Sequence, residues 1–270
     1  MNKGKRTNEQ GANNNKKTVK IVIIVLAALI LIGGIILAIV LSNPGKKEAV
    51  SEEIETTIIQ EPKIQIVDVK SKTRPYAVMI NNNHEAWPQC GLSDAYIVYE
   101  IIVEGGITRM MAIYKDKYPE KVGSVRSARH YFLDYVEEND AIFVHWGGSP
   151  QAYDRIYSGI NDLDGMALEG SVFFRDKTLR RSSEHTGFVN LEKAKEYAQN
   201  NGYTRDTNKD LLLNYSAKEV ELSENEEAKV ANNVQIKYSY YHTTSYEYDA
   251  EKKVYKRSMS GKANVDLVTN

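Results

Sequence analysis

Three charged side chains around a glycine pair carry the first chemical suggestion. Glu100 and Glu104 precede Gly105-Gly106, and Arg109 follows. The β-rich stretches 96–103 and 107–114 flank that pair, which permits the positive φ of a tight hairpin. A two-residue loop pairs Glu104 with Ile107, Val103 with Thr108 and Ile102 with Arg109. Glu100, Glu104 and Arg109 then project from one face. Two carboxylates oriented by a guanidinium can do acid/base work or hold a metal. A cross-strand ion cluster that fixes register is the plainer alternative.

Arg126 and Arg129 stand three apart at the start of a predicted helix, 127–136. Positive charge is unfavourable there unless an anion is present, which makes the pair a candidate anion site or two arginines held by neighbouring acids. His145-Trp146-Gly147-Gly148-Ser149-Pro150 ends a buried strand type, 141–146. Ser149 can cap a helix with Pro150 at its first position, so Gly147, Gly148 and Ser149 offer backbone amides to an anion at the edge of a sheet. A plain connector with a structural histidine is the alternative. Arg175 and His185 belong to a charged stretch with Asp176, Arg180, Arg181 and Glu184, read as a loop that serves either as a binding surface or as a solvated face.

No metal is expected, because no His-Glu-x-x-His, EF-hand or comparable spacing joins His145 and His185 to the carboxylates. No cofactor is expected either: Walker and dinucleotide glycine loops are missing, as are a Gly-x-Ser-x-Gly elbow and the companions of a Ser-x-x-Lys motif. Cys90, the single cysteine, follows no apolar signal core and reads as a buried inert thiol.

The elements that must position these groups alternate. The run 76–80, closed by three asparagines, suits a buried strand, and 191–201 an amphipathic helix ended by Gly202. Beyond 213 the texture becomes β: Val234, Ile236, Tyr238 and Tyr240 alternate with polar residues, and 249–253 reads as a loop to the next strand. The fold class is α+β: a mixed α/β domain over 71–212, a connector at 213–227, and a smaller β-rich domain at 228–270 that reads as truncated.

The chain has 270 residues, 35 Lys+Arg and 36 Asp+Glu. That is long enough for one or two domains with real cores. The run 21–41 has no polar side chain and, at about 1.5 Å per residue, can cross a bilayer of roughly 30 Å. Six basic residues against the lone Glu9 precede it, so the tail 1–20 is expected in the cytoplasm, the span at 21–41, a linker at 42–70 and the rest outside. The tail carries +5 of a total of −1, which leaves −6 for the remainder and disfavours nucleic acid. Oligomeric state has no sequence signal.

Several segments resemble the YerB-like lipoprotein family, a bacterial domain of unknown function numbered 3048. They are Arg74-Pro75-Tyr76-Ala77-Val78-Met79-Ile80-Asn81-Asn82, Val103-Glu104-Gly105-Gly106-Ile107-Thr108-Arg109, Val125-Arg126-Ser127-Ala128-Arg129 and His145 with Gly147-Gly148-Ser149-Pro150. The tail around 248–258 resembles the start of that family's second domain. The resemblance implies an envelope location and two-domain α+β organisation, and supplies no reaction. Family members look like lipoproteins anchored through a cysteine, whereas this chain reads as keeping an uncleaved helix, and Cys90 stands where relatives commonly show Ser.

The expectation is a membrane-anchored extracytoplasmic protein. Its arginines and helix-start amides, with Glu100, Glu104 and His145, line a pocket for an anionic cell-wall component such as a peptidoglycan carboxylate or teichoic phosphate. An envelope scaffold ranks second. An enzyme with Glu100 or Glu104 as base and His145 as acid or metal ligand ranks third.

Overall fold

An apolar run without polar alternation belongs in the middle of a sheet covered on both faces. That is where the computed structural model, which describes residues 67–213 and 220–269, places β1 (Tyr76–Asn81), buried throughout. Going outward on one side are β3 (Thr108–Tyr114) and β2 (Ile97–Ile102), both antiparallel to their neighbours. On the other side β5 (Ile142–His145) and β6 (Asp162–Asp164) run parallel to β1. The order β2-β3-β1-β5-β6 puts the carboxyl ends of β1, β5 and β6 and the start of β3 on one edge.

Alternation sorts this sheet into two cores. Ala77, Met79, Met111, Ile113 and Phe143 pack with Phe132, Leu133, Val136, Ala152 and Ile156, under α1 (Leu133–Glu138) and α2 (Pro150–Ile156). Val78, Ile80, Met110, Ala112 and Val144 face the other way, onto Leu191, Ala194 and Ala198 of α4 (Leu191–Asn200). That second face is also covered by a small sheet, β4 (Val122–Gly123), β8 (Gly187–Val189) and β7 (Phe173–Arg175), in the order β4-β8-β7. Each large apolar side chain removed from water here contributes about 1.5–3 kcal/mol. The short α3 (Gly165–Leu168) follows β6.

Three expectations change. The hairpin loop is Glu104-Gly105-Gly106, with both glycines at φ 72°, and Ile102 pairs with Thr108 and Ile101 with Arg109. A third loop residue moves the register by one, which turns Arg109 to the face opposite Glu100. Residues 126–129 are not a helix start. Arg126 N donates to Met79 O and Ala128 N to Gly147 O, so the segment is spent bridging β1 and β5, and α1 begins only after a 3-10 turn at His130–Phe132. Arg175 lies in a strand, not a loop.

The β-rich segment forms a four-stranded sheet, β12-β11-β10-β9, from β9 (Asn233–Lys237), β10 (Thr243–Asp249), β11 (Val254–Met259) and β12 (Lys262–Ala263). The predicted loop at 249–253 falls between β10 and β11. β9 is exposed along its whole length. The sheet is fastened to the rest of the molecule through polar groups: Gly91 N donates to Asp266 Oδ2 at 2.6 Å and Leu267 N to Gln89 O at 2.7 Å. The tail 1–20, the run 21–41 and most of the linker 42–70 lie outside the described residues. Among the described residues, no helix is long and apolar enough to cross a membrane.

Candidate functional site

At the edge where β1 and β5 end, the extended segment Val125–Ala128 continues the ladder between them. Val125 bridges Ile80, and Trp146 N donates to Arg126 O at 3.1 Å. Arg109, at the start of β3, reaches the same edge, where its Nη1 donates to Ser127 O at 2.5 Å. Arg109 is only 6% exposed, and among the described residues no carboxylate forms an ion pair with it. Burial, then the charges of Arg129 and Arg126, pull its guanidinium down to about 10, with Glu104 opposing. A desolvated cation among cations is costly unless an anion completes it.

The outer two arginines do have partners. Arg126 pairs with Glu184 and Arg129 Nε with Glu104 Oε1 at 2.6 Å. Both carboxylates are at least half exposed, at 50% and 62%. Pairs of this kind are weak, so an incoming anion can displace them. The bond from Arg129 lowers the Glu104 carboxyl, against its partial burial. Tyr131 lies within the field of Glu104, Arg109 and Arg129, and burial raises its hydroxyl.

His185 adjoins this group. Asn81 is the cross-strand neighbour of Arg109, and its Oδ1 accepts from Asn83 N at 3.1 Å. That fixes the amide so that Nδ2 donates to His185 Nδ1 at 2.9 Å, leaving Nε2 to donate to Glu85 at 3.2 Å. Arg175 stacks 4.4 Å above the Trp146 ring and donates to Ser183 O at 2.5 Å and to Glu169 at 3.1 Å. Gly165 and Gly187 let that ring lie close: a Cβ on either would sit 2.5 or 2.6 Å from it.

Other candidates are placed elsewhere or are already occupied. His145 is fully buried, with Nδ1 on Gly147 O at 2.9 Å and Nε2 on Asp162 at 3.1 Å, in the manner of a structural histidine. Ser149 caps α2 by accepting from Ala152 N at 3.3 Å, with Pro150 at the first position. The amides read as free are used: Gly147 N donates to Asp164 at 2.8 Å and Ser149 N to Ala128 O at 3.2 Å. Gly148 packs against Tyr153 and Ala128. These groups build the edge and offer an anion little.

Glu100 belongs to a different cluster, on the opposite face. Its carboxylate accepts from Thr108 Oγ1 at 2.7 Å, Asn82 Nδ2 at 3.1 Å and Thr244 Oγ1 at 3.0 Å. It also accepts from His242 Nε2 at 3.0 Å and Arg257 Nη2 at 2.7 Å. Burial alone would raise it, but the His242 bond, the Arg257 charge and the Thr108 bond together hold it at about 2. A carboxylate with every lone pair committed is not a general base. It locks the C-terminal sheet to β2. His242, Thr244 and Arg257 could not be picked out from the sequence because nothing local marks partners more than a hundred residues away; Thr108, eight residues on, and Asn82, in the asparagine run, carry no sign of a shared carboxylate.

Among the described residues, no group of three or more His, Cys, Asp or Glu side chains is arranged to hold a metal ion. A cavity of about 310 Å³ opens beside Arg74, Lys195 and Arg205, and one of about 690 Å³ between Gln89, Leu92 and β11. Neither is lined by Arg109, Arg126 or Arg129. Arg74 and Arg205 in the first are already paired with Asp140, so the uncompensated charge of Arg109 weighs more than the size of these hollows.

Residues 64–204, more than half of the chain, match the family described as "Protein of unknown function (DUF3048) N-terminal domain". The chain belongs to this family, the YerB-like proteins. It is 36% identical over 203 residues to "Putative lipoprotein YerB" of Bacillus subtilis (strain 168), which covers 74% of this chain and 59% of that protein. The chain thus spans less than two thirds of that relative's length. The crystal structure of YerB protein from Bacillus subtilis superposes with a TM-score of 0.62 at 33% identity, over 76% of this chain and 69% of the other.

Proposed function

We propose that the edge formed by Arg109, Arg126 and Arg129 binds an anionic group of the cell envelope, a carboxylate of peptidoglycan or a phosphate of a teichoic polymer. The observation that carries this is Arg109: buried, beside two further arginines, and without a carboxylate partner among the described residues. Glu104 and Glu184 act as exchangeable stand-ins on the outer two. Arg175 and His185 border the site, and Gly147 to Ser149 shape its floor.

We also propose that the apolar run 21–41 attaches the chain to a membrane, with the tail 1–20 in the cytoplasm and the folded part outside. The basic tail supports this orientation, and the description of the Bacillus subtilis relative as a lipoprotein supports attachment to a membrane. The catalytic alternative is weaker, because Glu100 and His145 face opposite sides of the sheet and both are saturated.

Calorimetric titration of the full chain in nanodiscs with peptidoglycan stem peptides and with glycerol-phosphate oligomers tests the reading. Arg126→Ala and Arg129→Ala should each weaken binding at least about tenfold, the scale of a charge-assisted hydrogen bond. Binding that is undetectable, or equal in wild type and variants, overturns it. Protease added to intact cells should remove the folded part and spare the tail; the reverse pattern overturns the topology.

A further inference from the structure

We infer that the ligand of the arginine edge is a glycan carrying the anionic group, and that Tyr240 and Tyr241 form the shelf on which its sugar rings lie. This rests on the anion-binding reading above. Tyr240 is 89% exposed and Tyr241 72%. Their rings stand at 87° with centroids 5.3 Å apart, so each keeps an open face. Both lie in the turn between β9 and β10, and that turn is seated on the hairpin loop of the large sheet. Ser239 Oγ donates to Gly106 O, and the absence of a Cβ at Gly106 leaves room for the Tyr241 ring, which would otherwise lie 3.3 Å from it.

The same hairpin loop carries Glu104, the partner of Arg129. Gly106 is two positions after Glu104, at most about 7 Å of chain. The shelf and the cationic edge therefore meet at this one loop, the shelf against Gly106 and the edge through Glu104. On the other side Tyr131 stands beside Arg109 and Arg129. Two open rings beside a cationic spot suit a ligand that joins charge to apolar ring faces. Tyrosine supplies such a contact at low entropy cost, with its hydroxyl left wet. A flat anionic membrane surface fits less well, since Arg109 is recessed and only a projecting group reaches it.

The experiment compares each anion with and without its sugar, on the full chain in neutral nanodiscs. One pair is the disaccharide-peptide fragment of peptidoglycan against the bare peptide; the other is glycosylated against bare glycerol-phosphate oligomers. Sugars should tighten binding about 3–10-fold in at least one pair, the scale of one or two aromatic contacts. Tyr240→Ala should remove that increment and leave the bare-anion affinity as it is. Tyr240 is almost wholly exposed, so this substitution does not threaten folding; Tyr241→Ala is the second variant, checked by circular dichroism. If bare anions bind through the arginines but sugars add nothing, or the increment survives both substitutions, the shelf is refuted and the anion site stands. If no anion binds in any arm, both readings fall. Loss of phosphatidylglycerol-vesicle binding in Tyr240→Ala, with the sugar increment intact, would assign the tyrosines to lipid and overturn the inference.

Discussion

Replacing Glu100 by Gln should loosen the C-terminal sheet, and do so in a pH-dependent way. In the folded protein the carboxyl lies at about 2, against an ordinary value of 4.5. That difference corresponds to roughly 3 kcal/mol of stability at neutral pH. The folded value is the depressed one, so the contribution is complete above about pH 5 and disappears as the pH falls through the usual carboxylate range toward 2. The side chain is 8% exposed, so solvent screens little of it. Gln keeps the shape but leaves Arg257 and His242 facing a neutral amide. Urea denaturation at pH 7 should show Glu100→Gln less stable by about 2–4 kcal/mol, with the gap narrowing by pH 3. Hydrogen exchange should speed up in β10 and β11 before β1 and β5. A loss below about 1 kcal/mol at pH 7, or one that does not change with pH, would refute the account of this cluster.

Further outcomes follow from the same geometry. Arg109→Met should leave thermal stability unchanged or raise it, because a desolvated cation is exchanged for an apolar chain of similar length, while anion binding disappears; a clear drop in melting temperature would count against an unpaired Arg109. Gly187→Ala should cost about 1–3 kcal/mol and shift the tryptophan emission, since the new methyl meets the Trp146 ring; an unchanged denaturation midpoint would contradict the packing. Burial, with the Asp266 charge, pushes the Cys90 thiol up to about 11. Iodoacetamide at pH 8 should therefore modify it only after unfolding, and rapid labelling of the native protein would count against that environment.

The parts of the fold legible in the sequence were those decided by neighbouring residues. β1 and β5 are uninterrupted apolar runs, Ser149-Pro150 states a helix start, and Gly202 follows the end of α4. The hairpin was legible as a hairpin but not in register. Gly105-Gly106 names a turn without saying whether Glu104 belongs to it, and that one residue exchanges the faces of Glu100 and Arg109. Arg126 and Arg129 carry helical spacing, but the backbone there is claimed by Met79 and Gly147, contacts with no local signature. The Glu100 cluster was illegible for the same reason: its partners Arg257 and His242 come from β11 and the turn before β10. Of the candidate site, residue types and the gathering of three arginines could be anticipated; which of them is recessed and bare could not.

The family match ends at residue 204, yet the charge most deeply committed before that point is neutralised by Arg257. Cutting the two halves apart therefore removes the His242, Thr244 and Arg257 contacts of Glu100. A fragment stopping near 204 would leave the Glu100 carboxylate on the edge strand β2 with only its Thr108 and Asn82 bonds and no cationic partner. The lock is thus a condition on exchanging parts: a C-terminal sheet taken from a relative should seat on this domain only when it brings groups that satisfy Glu100 as His242, Thr244 and Arg257 do.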